Sequence, residues 1–443
     1  MPAPSAASFQ ASDALLKRRD WLTILVVGIA HAASHFFQLV IPSLYASLGA
    51  EFGLDYARLG LLVSAFFVTS GLGQASSGFV VDRVGARPVL WFGLSCFVAS
   101  GVLIGLANGY AMLFTAAVVA GVGNSVFHPA DFSILNKRVS QARLGHAFST
   151  HGLTGSLGWA LTPVFITTLT LLFNWRVAAF GAAALVATVL LMTVLARRLL
   201  AGDIHEAGGR QGAAGAGQDK PGGRAPGRPD PAQAALPTGV LATIGALAAR
   251  PALWGAFLFF GMTSVALSAV QNYTIPLLGK LYGLSAVTAS TALSGYMVCS
   301  ALGMIIGGFL VSATPRTERV VGASLCMAGL VLVVLALGWI PAWLAAPMVG
   351  LAGLCSGMSG PSRDMLIRSV TPKGALGSVY GLVYSGMDVG AALGPLAFGI
   401  MLDAGLGHGP WLAAGAAFAV GALLASLIAR AARAPSQAWS KAA

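Results

Sequence analysis

Twelve long runs of apolar residues divide this chain, and they restrict what it can fold into more than any other feature. Each run is long enough to cross ~30 Å of hydrocarbon as a helix of ~20 residues. They lie near 21–48, 57–81, 88–107, 110–136, 144–172, 175–196, 251–279, 286–312, 319–339, 342–368, 374–402 and 410–430. Because a helix satisfies its own backbone hydrogen bonds in lipid, these runs, called spans 1 to 12 here, predict an all-α integral membrane protein.

The composition excludes a soluble globular domain. Of the 443 residues, 56% are hydrophobic and 9% are charged, and the mean hydropathy is +0.80, whereas soluble domains carry about 25% charged residues. The net charge of +12 does not indicate a nucleic-acid partner, because the basic residues stand singly or in small groups at the ends of the apolar runs. We therefore expect contact with the lipid bilayer and none with nucleic acid.

The positions of the basic residues predict the orientation of the chain. Basic residues 17–19 precede span 1, and if the N-terminus is cytoplasmic, only Arg58, Arg176 and Lys280 of the 26 Lys and Arg residues fall outside. Cytoplasmic loops carry such an excess of Lys and Arg. The prediction is a multi-pass protein of the inner (plasma) membrane with both termini cytoplasmic, and we expect a monomer.

The grouping of the spans predicts two six-helix bundles, one over 21–196 and the other over 251–430. Residues 197–250 between them are rich in Gly, Pro and charged residues and contain nothing that can bury a core. Such a composition is typical of a flexible linker, here a cytoplasmic one. Residues 1–20 and 431–443 are then the cytoplasmic N-terminus and tail.

The two halves also repeat each other in sequence. At an offset of 232 residues, Leu144-Gly145, Gly158 and Pro163 recur as Leu376-Gly377, Gly390 and Pro395. Pro129 and Pro361 are separated by the same offset. Ile41-Pro42 recurs as Ile275-Pro276 at an offset of 234. In this repeat, spans 4 and 5 are equivalent to spans 10 and 11, and span 1 is equivalent to span 7. A parallel repeat of two pseudo-symmetric six-helix halves is found in one large class of transporters.

A short polar turn joins spans 2 and 3. It contains Gly78, Asp82, Arg83, Gly85 and Arg87. The turn resembles the signature loop between helices 2 and 3 of the major facilitator superfamily, with Ala86 where many members carry a second basic residue. The resemblance implies a secondary transporter in which this loop takes part in gating. Gly78 is expected to permit close helix approach and Gly85 to permit the turn.

A narrower resemblance lies in spans 4 and 5. The stretch Gly123–Pro129, which contains Phe-His-Pro, and the segment Ser149–Pro163 are similar to the fosmidomycin-resistance branch of drug efflux proteins. That resemblance implies proton-driven export of a small compound by an antiporter.

Polar side chains inside the spans are candidates for the substrate site, because such groups are costly in lipid and usually face a cavity. They are His31, His35, Gln38, His128, His151, Gln271 and Asn272. Histidines in these places serve substrate binding or proton handling, or are structural groups bonded to a carbonyl or a serine. His31 and His35 share a helix face, but no carboxylate or third ligand lies at a matching place on span 1. We therefore expect no metal and no cofactor.

Two further predictions concern charged residues. Asp388, near the middle of span 11, is predicted to be the main proton-coupling group as the only acid near the middle of any span, with His35 as the second group.

Asp131 and Arg363 occupy equivalent places at the offset of 232, and a salt bridge between them is predicted to close the inner gate. The competing interpretation pairs Arg363 with Asp364, and Asp131 with Lys137 or Arg138.

Together these features predict a secondary active transporter that moves a small molecule by alternating access, most simply a proton-coupled drug or metabolite exporter. The sequence contains no Walker loop, GxGxxG, nucleophile elbow or HExxH element, so we expect no enzymatic activity. Two alternatives stay open at this point, namely proton-coupled uptake of a small organic acid and a membrane sensor that binds without translocation.

Overall fold

A computed structural model describes residues 6–201, 251–314, 316–370 and 376–440, which are helical and contain no β-strand. The first half contains α1 (Ala6–Gln38), α2 (Val40–Ser43), α3 (Tyr45–Phe52), α4 (Tyr56–Val84), α5 (Ala86–Gly105), α6 (Tyr110–Asn124), α7 (Phe127–Arg138), α8 (Gln141–Leu172) and α9 (Trp175–Leu195). The second half contains α10 (Pro251–Tyr282), α11 (Ala286–Ala313), α12 (Thr317–Leu337), α13 (Ala342–Val370), α14 (Leu376–Asp403) and α15 (Gly409–Ser440). Most of the predicted linker lies outside the described residues.

The prediction of twelve membrane spans is confirmed. In the described ranges, 12 helical stretches are long and apolar enough to cross a membrane, and α6 and α7 together form one of them. Six belong to each half of the chain. The chain is thus a multi-pass membrane protein with two six-helix bundles.

Two of the spans are interrupted, each four residues before a proline. A proline donates no hydrogen bond and its ring clashes with the carbonyl four residues earlier, so α1 ends at Gln38, four residues before Pro42. Span 1, predicted as one helix, is therefore three helices. Span 4 breaks between α6 and α7, shortly before Pro129. The freed carbonyl of Ser125 accepts a hydrogen bond from the Ser77 hydroxyl at 3.0 Å.

Glycines allow equivalent helices to pack closely in the two halves. In the first half, α1 packs against α8, and a Cβ at Gly158 would overlap the carbonyl of Ala32. In the second half, α10 packs against α14, and a Cβ at Gly390 would overlap the carbonyl of Gly261. Small residues at such contacts are typical of membrane helices, because lipid leaves van der Waals packing as the main attraction between them. The repeated contact confirms the pseudo-symmetry that the sequence predicts.

Hydrogen bonds join the two halves at the end of the bundle that lies opposite the N-terminus of α1, called the outer end below. The carboxylate of Asp403 at the end of α14 accepts hydrogen bonds from the backbone N–H groups of Tyr56 and Ala57, at 3.0 and 2.7 Å, and so caps α4. The Thr167 and Ser290 hydroxyl oxygens lie 2.6 Å apart between α8 and α11. The halves are therefore tied together at the outer end in this conformation.

We expect Asp403→Ala to shift the protein toward a conformation in which the outer ends are apart. The substitution removes two charge-assisted hydrogen bonds that cross between the halves. At an exposed site they contribute roughly 1 kcal/mol in total, which changes a two-state population severalfold. The distance distribution between spin labels at Leu172 and Val287, exposed residues at the outer ends of α8 and α11, measures the shift.

The matched control is Asp55→Ala. Asp55 caps the same helix by accepting from the N–H of Arg58 at 2.8 Å, but it belongs to the same half as α4. Its loss weakens the helix end without removing a contact between the halves. An unchanged distance distribution in Asp403→Ala, or an equal change in Asp55→Ala, would contradict the assignment.

Candidate functional site

The histidines predicted in spans 1, 4 and 5 meet in one cluster inside the first half. His31 and His35 lie on α1, His128 on α7 and His151 on α8. The ring centroid of His31 is 4.5 Å from that of His35, 5.3 Å from that of His128 and 3.5 Å from that of His151, on which it stacks. Three helices thus bring four of the predicted residues together.

Asp131, which the sequence assigned to the gate, belongs to this cluster. It is fully buried, its Oδ2 lies 3.1 Å from Nε2 of His151 in a hydrogen bond, and the same oxygen is 3.2 Å from Nδ1 of His31. Asp131 is therefore a second acid that lies inside a span of the described chain, besides Asp388. The signal was present in the spacing of His128 and Asp131, because residues three apart share a helix face.

The expectation of no metal on span 1 rested on the lack of a third ligand along the same helix. The structure places two further histidines, from other helices, beside His31. One ring nitrogen from each of His31, His128 and His151 lies within 4.8 Å of the others. Three imidazoles in such proximity are a set that can hold a metal ion.

The side chain of Gln38 is held by a hydrogen-bonded network next to the histidines. Its Nε2 donates to Oδ1 of Asn124 at 3.1 Å, its Oε1 accepts from Nε1 of Trp159 at 2.9 Å, and Asn124 donates in turn to the hydroxyl of Ser70 at 2.8 Å. His35 packs against Trp159 with ring centroids 4.2 Å apart. The network connects four helices. Asn124 and Ser70 had not been predicted as site residues, because their partners are distant in sequence.

Gln271 and Asn272 lie on α10 in the second half, and both are buried. Asn272 donates to the carbonyl of Ser268 at 2.8 Å and its Oδ1 is 3.5 Å from the hydroxyl of Tyr45 on α3, so it takes part in the contact between the halves. Nε2 of Gln271 has no hydrogen-bond partner in the described part of the chain. Of these two residues, Gln271 is the one whose amide nitrogen is left without a hydrogen bond among the described residues.

Asp388 lies between the two halves. It sits on α14, half-buried, and a Cβ at Gly71 of α4 would be 3.3 Å from the Cβ of Asp388. The 15 residues from Asp388 to Asp403 correspond to ~22 Å along a helix. The carboxyl group therefore lies deep in the bundle and faces the opposite half. Its coupling role stays a prediction.

The loop between α4 and α5 only partly matches what was expected of its residues. Gly85 has φ of 92°, a conformation that favours glycine, and it ends α4 and starts α5. A Cβ at Gly78 would meet no atom within 4 Å, so the expected close helix approach is absent in this conformation. Asp82 and Arg83 are exposed, and the guanidinium of Arg87 lies over Trp91 at 5.2 Å. The gating role of this loop stays a prediction.

The predicted bridge between Asp131 and Arg363 is not formed in this conformation. Asp131 is enclosed by histidines, because a carboxylate inside the membrane needs polar partners. Arg363 donates to the carboxylate of Asp364 at 3.0 Å and lies over the ring of Phe260. The local pair of Arg363 with Asp364 is thus present, and Asp131 contacts histidines where Lys137 or Arg138 was expected.

Comparison with known proteins agrees with this architecture. The family model of the Major Facilitator Superfamily matches residues 25–349 and 261–442, and the chain belongs to that superfamily. The chain is also similar to a crystal structure of a bacterial homolog of the human lysosomal transporter Spinster in an inward-facing and unoccupied conformation. The TM-score is 0.67 at 16% identity, covering 96% of this chain and 98% of that one.

Two relatives are informative about the branch of the superfamily. The chain is 29% identical over 193 residues to the fosmidomycin resistance protein of Escherichia coli (strain K12), a match that spans 43% of this chain and only 47% of that protein. It is 26% identical over 369 residues to the probable nitrate/nitrite transporter NarK2 of Mycobacterium tuberculosis (strain ATCC 25618 / H37Rv), over 82% of this chain and 85% of that one. The protein is thus a membrane transporter of small molecules.

We expect Gly155→Ala to disturb the histidine cluster although it removes none of its members. A Cβ at Gly155 would lie 2.9 Å from Cε1 of His35 and 3.1 Å from Nε2 of His31, so the imidazoles must shift. Overpacking of this kind costs about 1–3 kcal/mol, and a lowered midpoint of thermal unfolding in detergent measures it.

Gly152→Ala, one turn away on α8, is the control. A Cβ there would meet nothing within 4 Å, so its unfolding midpoint should stay at the wild-type value or rise slightly. Equal midpoints for the two variants would show that the cluster is not tightly packed around Gly155.

Proposed function

We propose that this protein is a proton-coupled exporter of a small drug or metabolite in the inner (plasma) membrane, with both termini in the cytoplasm. Membership of the superfamily, the two pseudo-symmetric halves and their contacts at the outer end support alternating access. The similarity to the fosmidomycin resistance protein supports export. The observation that carries the coupling is the carboxyl group of Asp388 between the halves, opposite Gly71.

Proton coupling follows from the cost of burying a charge. An ionised carboxylate is strongly disfavoured in an apolar contact, whereas a neutral carboxyl group can be buried at moderate cost. Protonation of Asp388 thus favours the conformation in which α4 and α14 close around it, and proton loss favours the other. His35 was also predicted for this role, and Asp388 is the stronger candidate because it faces the opposite half.

The substrate site is assigned to polar groups from both halves, as a midplane site that opens alternately requires. His35 of the first half and Gln271 of the second each have a buried nitrogen, Nδ1 and Nε2 respectively, without a hydrogen-bond partner in the described residues. Both can bond to a polar small molecule. Gln38 and Asn272, whose amides are already hydrogen-bonded, shape the site around His35 and Gln271.

The second candidate function is uptake of a small organic acid or another small anion. It is favoured by the similarity to a probable nitrate/nitrite transporter, which extends over 85% of that protein. The direction of flux distinguishes the two functions. Fosmidomycin and nitrate, taken from the names of the two relatives, are the first probe compounds for proteoliposomes with and without an imposed pH gradient.

We expect Asp388→Asn to abolish accumulation that is driven by a pH gradient while substrate exchange without a gradient continues. The amide keeps the shape of the side chain but cannot carry the proton. Proteoliposome flux of a transported probe compound, compared with counterflow in the same preparation, measures the difference.

Asp388→Glu is the matched variant, because it keeps a titratable carboxyl group and should retain part of the coupled flux. If Asp388→Asn accumulates substrate like the wild type, the proposal for this residue fails. If it loses exchange as well, Asp388 serves folding or binding instead of coupling.

We expect His35→Ala and Gln271→Ala to weaken substrate binding by at least about fivefold each, because each removes one hydrogen bond of ~1 kcal/mol from the site. Scintillation proximity binding with the same probe compound measures the affinity. His146→Ala is the control, since His146 is exposed near the start of α8. An affinity within twofold of the wild type in both test variants would leave the two residues with a structural role only.

A further inference from the structure

The histidine cluster contains more polar groups than its own contacts satisfy. His31, His151 and Asp131 are at most 5% exposed, and His128 lies half-buried beside them. Nδ1 of His31, Nδ1 of His128 and Oδ1 of Asp131 have no hydrogen-bond partner among the described residues. Buried polar groups are almost always bonded, and lipid makes an unbonded one still more costly. Three such atoms in one cluster indicate that a ligand completes it.

Two distances from the carboxylate of Asp131 to the imidazoles match the spacing between the ligand atoms of one metal ion. Oδ2 of Asp131 lies 3.2 Å from Nδ1 of His31 and 3.1 Å from Nε2 of His151. Ligand atoms that bind one ion tetrahedrally with bonds of ~2.0 Å are about 3.3 Å apart. The contact between His31 and Asp131 has the right length for a hydrogen bond, but Nδ1 of His31 is not aligned for one. One ring nitrogen of His128 lies within 4.8 Å of one ring nitrogen of His31 and of one of His151. Because the rings of His31 and His151 are stacked, side-chain rotation is needed for all the ligands to meet at one ion.

The chemical types of these four side chains determine which class of metal ion the site favours. Three imidazoles with one carboxylate are suited to zinc and other late first-row transition metals, whereas Mg²⁺ and Ca²⁺ prefer oxygen ligands only. A divalent cation also compensates the charge of a carboxylate buried among membrane helices. We propose that His31, His128, Asp131 and His151 form a binding site for a divalent transition-metal ion, with Zn²⁺ as the best match.

The placement of the ligands indicates that the ion is resident and is not the transported substrate. All four ligands belong to the first half, from α1, α7 and α8, whereas a site that opens alternately to the two sides needs contacts from both halves. The ion therefore stays in place while the halves move. It ties α7, which follows the helix break after α6, to α1 and α8. This inference does not depend on the proposed direction or coupling of transport.

Titration of the purified full-length protein with Zn²⁺ tests the site without any transported substrate. The protein carries an affinity tag without histidine and is first stripped with a chelator. We expect one equivalent of Zn²⁺ per chain by metal analysis after dialysis. Co²⁺ in its place should give the strong visible absorption of a four-coordinate site, and added Zn²⁺ should raise the unfolding midpoint.

The variants His31→Gln, His128→Gln and Asp131→Asn should each lower the affinity for Zn²⁺ at least about tenfold. His146→Gln, which alters an exposed histidine of the same helix as His151, should bind like the wild type. Wild-type protein that takes up no stoichiometric Zn²⁺ overturns the proposal even if the variants fail to fold. Stoichiometric binding that survives all three substitutions places the ion elsewhere and overturns it equally.

Discussion

Close approach of helix backbones at glycines holds the helices of each half together. Lipid forces the backbone into helices but does not drive them together as water would, so attraction depends on contact at short range. Gly158 against Ala32 and Gly390 against Gly261 provide that contact in the two halves. The first of these also fixes α1 against α8, and with them the imidazoles of His31 and His151.

Burial of the polar cluster is the main free-energy cost that this helix packing has to offset. A carboxylate and several imidazoles inside a membrane bundle are tolerated only when they bond to one another or to a ligand. The helix break before Pro129 contributes, because α7 begins anew at Phe127 and presents His128 and Asp131 toward α1 and α8. The short helix α7 that follows this break thus carries the polar face that completes the cluster.

The helix pair α4 and α14 connects the proposed coupling group with the contact at the outer end. Asp388 faces Gly71 deep in the pair, and Asp403 caps the start of α4 at its outer end. Both acids lie on one continuous helix, α14. Bonds of this kind, exposed and few, suit an interface that opens under the proposed alternating access.

The number of spans, their division into two repeated halves and the superfamily could be predicted from the sequence, because hydropathy, basic residues and glycine–proline spacing act locally along the chain. The sequence also singled out the four histidines that the structure brings together. Only the tertiary structure decided that Asp131 joins them and that Gln38 bonds to Asn124 and Trp159. Those partners lie on different helices, and which faces meet depends on packing and on helix breaks that periodicity along a single span does not encode.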